Sequence, residues 1–255
     1  MPKANNNEIE NAFAYEDFLS VSNGQPTIIF KVPKPSYERL RDRVWFNDDL
    51  INYGLSVTYE RFLSTANRNL RVMIFSTFFY KQYKLVGFEG VQRWTRKRTP
   101  FDCDLVVFPC NDSNHWFTIS ISNPAGMLSD AKSPMAIIGL DSLAYDRNII
   151  RSEILTWVQR EASNRNLEYQ VETPLMSLAL PCAEQPNDYD CGPYMIHNLD
   201  RFLRHHSQFR RSLEIGADLV SVMKSKTIWR PDMAKKMRLY LREHADRAVR
   251  NGGLV

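Results

Sequence analysis

Glycine and cysteine are scarce in this chain, and long apolar runs are missing. Ten glycines and four cysteines among 255 residues exclude a collagen-like chain and a disulfide-dense scaffold. No apolar stretch approaches the ~18 residues that suggest a membrane span, so no membrane partner is expected. The opening MPKANNNEIENAF lacks the apolar core of a secretory signal. The expectation is a soluble, intracellular protein with Cys103, Cys110, Cys182 and Cys191 as free thiols. No C-x-x-C pair occurs, and His205 and His206 stand side by side, which suits no metal-ligand spacing. Charge of either sign is also modest: 33 basic against 29 acidic side chains leave +4. That is too little to call for nucleic acid. The basic excess gathers beyond residue 200, and MRLYLREHADRAV spaces its apolar residues for one buried stripe, so a solvated helix face accounts for it.

What the chain does contain is an alternation of helix and strand patterns with no break in composition. Residues 1–24 are polar and weakly patterned and read as a loose lead-in; residues 25–255 read as one domain. PTIIFKVP suits an edge strand between prolines. Asn47 is a candidate N-cap for FNDDLINYGLSVTYERF, with Asp48 and Asp49 suited to a helix N-terminus and Leu50, Ile51, Leu55 and Phe62 at helical spacing. LRVMIF follows as a strand, and Ser76 is placed to cap TFFYKQYK. Then come DLVVFP, HWFTISIS and MAIIGLDS. The first and third are continuous apolar strands, and the second alternates with Phe117, Ile119 and Ile121 on one face. Strands buried on both faces require helices on both sides of a sheet. NIIRSEILTWVQREASNR and YMIHNLDRFLRHH supply two such helices, with the short strand LEYQVETP between them. The fold class is α/β.

Cys191 lies in QPNDYDCGP, where an irregular turn becomes a helix. Asp190 is a candidate N-cap, and Pro193 is tolerated in a first helical turn. A thiol at a helix N-terminus feels the positive end of the macrodipole, which favours the thiolate, the form that attacks carbonyls. On these residues alone Cys191 is either a buried filler or a nucleophile. A nucleophile needs a base, and the base needs an orienting group. His197 is six residues along the same helix and faces away, whereas His115 opens the strand HWFTISIS after the polar loop CNDSN. Asp141 closes the strand AIIGLD and could fix the imidazole tautomer. Gln185 could donate its amide to an oxyanion.

These stretches resemble the SUMO-specific cysteine proteases of the Ulp/SENP family. QPNDYDCG fits the Q-x-N-x-x-D-C-G signature, and WFNDDLINY, FSTFFY, QRWTR, NHW and LDS are similar to further blocks of that family in the same order, over about residues 26–205. The resemblance implies a papain-like-related fold, a central mixed sheet flanked by helices. It also implies Cys191 as nucleophile, His115 as general base and acid, Asp141 as orienting carboxylate and Gln185 as oxyanion donor. Trp45 and Trp116 would flank a narrow tunnel for the diglycine tail of the modifier, with Asp48 beside them as a further substrate contact. Flat aromatic walls admit glycine and exclude a Cβ. No cofactor is implied. The partners implied are SUMO or another ubiquitin-like modifier and its conjugates, with the nucleus or the cytoplasm as location. Phe46 stands where leucine is usual and Asp49 where glutamate is common. The extra loop NPAGMLSDAKSPM leans towards the chain-trimming branch. The alternatives are a protease for the neddylation modifier or another ubiquitin-like protein and, in another class, a non-catalytic SUMO-binding module. The residues beyond about 205 match no block.

Overall fold

The computed structural model describes residues 32–64, 70–129, 131, 133–170 and 176–250, and the backbone of 18–19, 21–22 and 25–26. Among them a single larger sheet runs in chain order: β1 (Phe18–Leu19), β2 (Val72–Phe75), β3 (Leu105–Asp112), β4 (His115–Ser122), β5 (Ala136–Leu140) and β6 (Met176–Ala179). β2 with β3 and β5 with β6 are parallel, and the other pairs are antiparallel. The sheet is therefore mixed, as expected. Phe18 and Leu19 pair with Phe75 and Ile74, so the stretch read as a loose lead-in contributes an edge strand. The edge strand expected in PTIIFKVP falls mostly outside the described residues, as does the second half of LEYQVETP, of which Tyr169 bridges to Leu128.

Five longer helices flank the sheet: α1 (Asp48–Leu63), α2 (Phe78–Val86), α3 (Asn148–Asn164), α4 (Cys191–Glu214) and α5 (Met237–Arg250). Successive strand residues point to opposite faces, and each face has its own core. Val72, Ile74, Leu105, Val107, Ile138 and Leu140 join α1, α4 and α5. Met73, Phe75, Val106, Phe108, Ile119 and Ile121 join α2 and α3 around the fully buried Trp157. β4 alternates in sequence yet is buried along its whole length. Its polar residues Thr118, Ser120 and Ser122 are small enough to lie under α4, and Ser122 bonds His206 Nε2 at 3.0 Å.

Local chemistry fixes the start of α1. Asn47 Oδ1 accepts the Leu50 N–H at 3.3 Å and caps α1, and Leu50, Ile51, Leu55 and Phe62 are buried. Ser76 does not cap α2. Thr77 occupies that position without a side-chain bond, and the Ser76 carbonyl accepts the Phe79 N–H. α5 buries one stripe, Met237, Leu241 and Ala245, as its spacing implied. Pro109 did not end its strand. β2 pairs β3 only as far as Val107, which leaves Pro109 one free edge, where a missing N–H costs nothing.

Candidate active site

His115 is set by a tight hairpin rather than by the polar loop expected in CNDSN. β3 continues to Asp112, and only Ser113 and Asn114 turn the chain, both left-handed at φ 53° and 62°. Two left-handed residues make the turn whose twist matches paired strands. Asp112 and His115 are therefore register partners, and the imidazole is buried at the sheet's end.

Asp141 follows β5, beside β4. Its Oδ1 accepts from His115 Nε2 at 2.7 Å and from the Leu143 N–H at 2.8 Å, and its Oδ2 accepts from Arg147 Nε at 2.7 Å. The carboxylate side chain is 2% exposed. Burial pushes its pKa up, but the bonds from His115, Arg147 and the Leu143 N–H outweigh burial and hold it below the usual range. With Nε2 engaged by Asp141, the ring's Nδ1 remains for Cys191, which lies near enough to act on the imidazole's charge. Burial works against the imidazolium, but the Asp141 bond and the nearby Cys191 prevail and raise His115 to about 9.

Cys191 is the buried first residue of α4. Asp190 stands at the N-cap position but does not cap: no side-chain bond joins it to the helix among the described residues. Its Oδ2 accepts from Asn187 Nδ2 at 2.9 Å and its Oδ1 from Arg238, so a guanidinium and an amide outbid the helix N–H groups. Asn187 Oδ1 in turn accepts the N–H of Tyr189 and Asp190, which shapes the turn. Gly192 packs on Phe46; a Cβ there would lie 2.8 Å from the Phe46 Cβ.

Gln185 is joined to the residue after Asp141. Its N–H donates to the Ser142 carbonyl at 3.0 Å, and its Oε1 accepts the Ser142 hydroxyl at 2.6 Å. One amide N–H goes to the Asn187 carbonyl at 2.5 Å. The amide has a second N–H to give.

Trp45, Asp48 and Trp116 share the wall of a groove of about 850 Å³ with Lys81, Tyr145 and Arg147. The tryptophans differ: Trp45 is 45% exposed and Trp116 only 5%. The Trp116 indole N–H donates to the Phe46 carbonyl at 3.0 Å, which ties the strand that follows His115 to the segment carrying Trp45. His197 turns away from Cys191 and bonds the Trp229 carbonyl at 2.6 Å.

Two side chains missed by sequence reasoning matter here. Ser142 holds the Gln185 amide, and the tripeptide LDS gave a sign of it. Arg147 holds Asp141, bonds Asp112 at 3.1 Å, and stacks 4.2 Å from the Phe117 ring; only its place six residues after Asp141 hinted at it. Among the described residues, no group of His, Cys, Asp and Glu could hold a metal ion, and no helix is long and apolar enough to cross a membrane.

An imidazole held by a carboxylate and facing a thiol at a helix N-terminus, on a mixed sheet, is the arrangement of a cysteine-type peptidase. Residues 44–230 match the Ulp1 protease family, C-terminal catalytic domain. The chain belongs to that family of cysteine proteases. It is 30% identical over 175 residues to the Ubiquitin-like-specific protease ESD4 of Arabidopsis thaliana, covering 65% of this chain and 34% of that one. It is 28% identical over 165 residues to the Ubiquitin-like-specific protease 1 of Saccharomyces cerevisiae, covering 64% and 24%. The chain thus spans about a third or less of these two relatives. A crystal structure described as a de-sumoylating protease superposes with a TM-score of 0.72 at 18% identity, covering 91% of this chain and 90% of that one. A SUMO protease catalytic domain from Chaetomium thermophilum gives 0.53 at 19%, covering 100% and 92%. At such identities the likeness establishes the fold.

Proposed function

We propose that the chain is a thiol isopeptidase that cleaves after the C-terminal diglycine of SUMO, freeing it from lysine side chains and maturing its precursor. The observation that carries this reading is the His115 ring, held at Nε2 by Asp141 at 2.7 Å, with Cys191 near it as the buried first residue of α4. In the proposed mechanism Cys191 gives its thiol proton to His115, Sγ attacks the glycine carbonyl, and the oxyanion accepts N–H groups from Cys191 and Gln185. The C–N bond then breaks, and His115 gives its proton to the leaving amine. His115 next takes a proton from water, whose oxygen attacks the thioester carbonyl; the C–S bond breaks, the diglycine leaves as its carboxyl group, and His115 returns the proton to the Cys191 sulfur. Trp45 and Trp116 flank the glycine tail, and Asp48 offers a carboxylate to a basic residue of the modifier. Residues 25–255 act as one catalytic domain. Chain trimming and residence in the nucleus belong to the same proposal; the first is checked on SUMO chains against precursor, the second by imaging the tagged chain in cells.

The test is a panel of modifiers carrying a C-terminal electrophile. The SUMO probe is expected to label the wild type fastest, and Cys191→Ala is expected to bind it without forming an adduct. Unchanged cleavage by Cys191→Ala would overturn the nucleophile assignment. Faster labelling by the neddylation modifier or ubiquitin would overturn the substrate.

A further inference from the structure

The family match ends at residue 230, but α5 begins at Met237 and sends one side chain into the site. Arg238 is 9% exposed, and all five of its N–H donors are engaged. Nε and Nη2 donate to Asp190 Oδ1 at 3.0 and 2.8 Å, and Nη2 also donates to the Tyr189 carbonyl at 3.2 Å. Nη1 donates to the carbonyls of Arg39 and Arg41 at 3.0 and 2.8 Å. The guanidinium also lies 4.7 Å from the centre of the Phe46 ring.

These acceptors belong to two separate parts of the site. Tyr189 and Asp190 immediately precede Cys191. The 39–46 segment carries Trp45, holds the Trp116 indole through the Phe46 carbonyl, and packs Phe46 on Gly192. Burying a cation is costly unless its donors are satisfied. The planar fork meets that condition here, and an ammonium with three donors cannot reach all four acceptors.

We propose that Arg238 is a positioning residue: it ties the turn presenting the Cys191 thiol to the segment carrying the Trp45–Trp116 groove. The seat of the diglycine tail and the nucleophile then hold their relative position as one body. The inference rests on the roles proposed above for Cys191 and the two tryptophans. It also makes the helix outside the family match a working part of the site.

The test compares the full chain with Arg238→Met, Arg238→Lys and Tyr53→Phe. Tyr53 tethers the same helix through His244 at 2.6 Å, so its loss controls for general loosening of α5. Each protein is melted, reacted with the SUMO electrophile probe, and separately alkylated with chloroacetamide. Arg238→Met is expected to slow the probe about ten- to a hundredfold relative to alkylation, with Arg238→Lys in between. Tyr53→Phe should react like wild type even where its melting temperature falls. Rates that simply follow melting temperature across all three variants overturn the proposal, as does a wild-type rate in Arg238→Lys. If Arg238→Met does not fold, the comparison of Arg238→Lys with Tyr53→Phe decides. Hydrogen exchange reads the tether without any substrate: residues 39–47 and 189–194 should both exchange faster in Arg238→Lys, and unchanged protection overturns the tether. Faster exchange in a chain whose wild type ignores the probe overturns the substrate reading alone.

Discussion

Gly192→Ala sets two effects of opposite sign against each other. Alanine is favoured over glycine within a helix by up to about 1 kcal/mol, and Gly192 is the second residue of α4. A propensity view alone predicts a stabilised protein. The new methyl, however, would lie 2.8 Å from the Phe46 Cβ and 3.0 Å from its Cγ and Cδ2. Those atoms are the root of the ring, not a mobile tip. Phe46 is also held on other sides, by the Trp116 indole on its carbonyl at 3.0 Å and by the Arg238 guanidinium 4.7 Å from its ring. Overpacking against a side chain so fixed costs about 1–3 kcal/mol, and sterics win. The net loss is about 1–2 kcal/mol, and at about 2–4 °C per kcal/mol for a domain of this size the melting temperature should drop by several degrees. Activity should suffer more. The strain is relieved by moving either the Cys191 turn or the Trp45 segment, and misplacing a reacting group by about 1 Å costs about a hundredfold. Thermal melts and probe labelling well below the melting temperature measure both quantities. A raised melting temperature with an unchanged labelling rate would show that propensity prevails and that the Phe46 contact yields.

Two further predictions concern protons and donors. His115 is raised from 6.5 to about 9; a raised histidine stabilises the fold fully below its unfolded value and loses that contribution as pH rises through the folded one. Folding stability owed to this group should therefore fade between about 6.5 and 9. An NMR titration of His115 should find its midpoint near 9 in the wild type and lower in Cys191→Ala, which removes one raising partner; an ordinary midpoint in the wild type contradicts the pairing. Gln185→Ala is expected to lower kcat about 10²–10³-fold, and Ser142→Ala, which only frees the amide it orients, about tenfold or less. Equal losses in steady-state assays would place the Ser142 hydroxyl, rather than the amide, at the oxyanion.

Local signals in the sequence were legible because they act over a few residues. The Asn47 cap, the apolar faces of α1 and α5, and the strand ends at His115 and Asp141 all follow from near neighbours. Asp190 misled for the same reason. Its type and place favour an N-cap, but Arg238 is 48 residues away in sequence, and a charged partner outcompetes backbone N–H groups. Arg147 was hidden because its reach depends on the path of the chain between Asp141 and α3, where Ala144 and Arg147 itself are left-handed at φ 57° and 54°. Pro109 looked like a strand end because its tolerance depends on where β2 stops, a property of the sheet.

Arg147 bears on why the site can keep its charges. In the ion-pair form of the proposed mechanism, thiolate and carboxylate are negative and His115 is the one positive member of the triad. Such a buried trio carries a net negative charge, and an uncompensated buried charge is strongly destabilising. Arg147, bonded to Asp141 Oδ2 at 2.7 Å, makes the sum zero. The same balance matters later in the cycle. Once His115 has given its proton to the leaving amine it is neutral, and Asp141 would otherwise face a low-dielectric site with no cation. A carboxylate in that state tends to take up a proton, and a protonated Asp141 could not stabilise the imidazolium that forms again when His115 activates water. Arg147 keeps Asp141 ionised through that interval, while Asp112, half exposed at 3.1 Å, pairs with the outer side of the guanidinium. The left-handed backbone at Arg147 costs on the order of 1 kcal/mol or more for a residue with a Cβ. Three contacts offset it: the Asp141 bond, the Asp112 bond and the Phe117 ring. In the proposed mechanism those contacts serve an orienting carboxylate that must stay charged in both halves of the reaction.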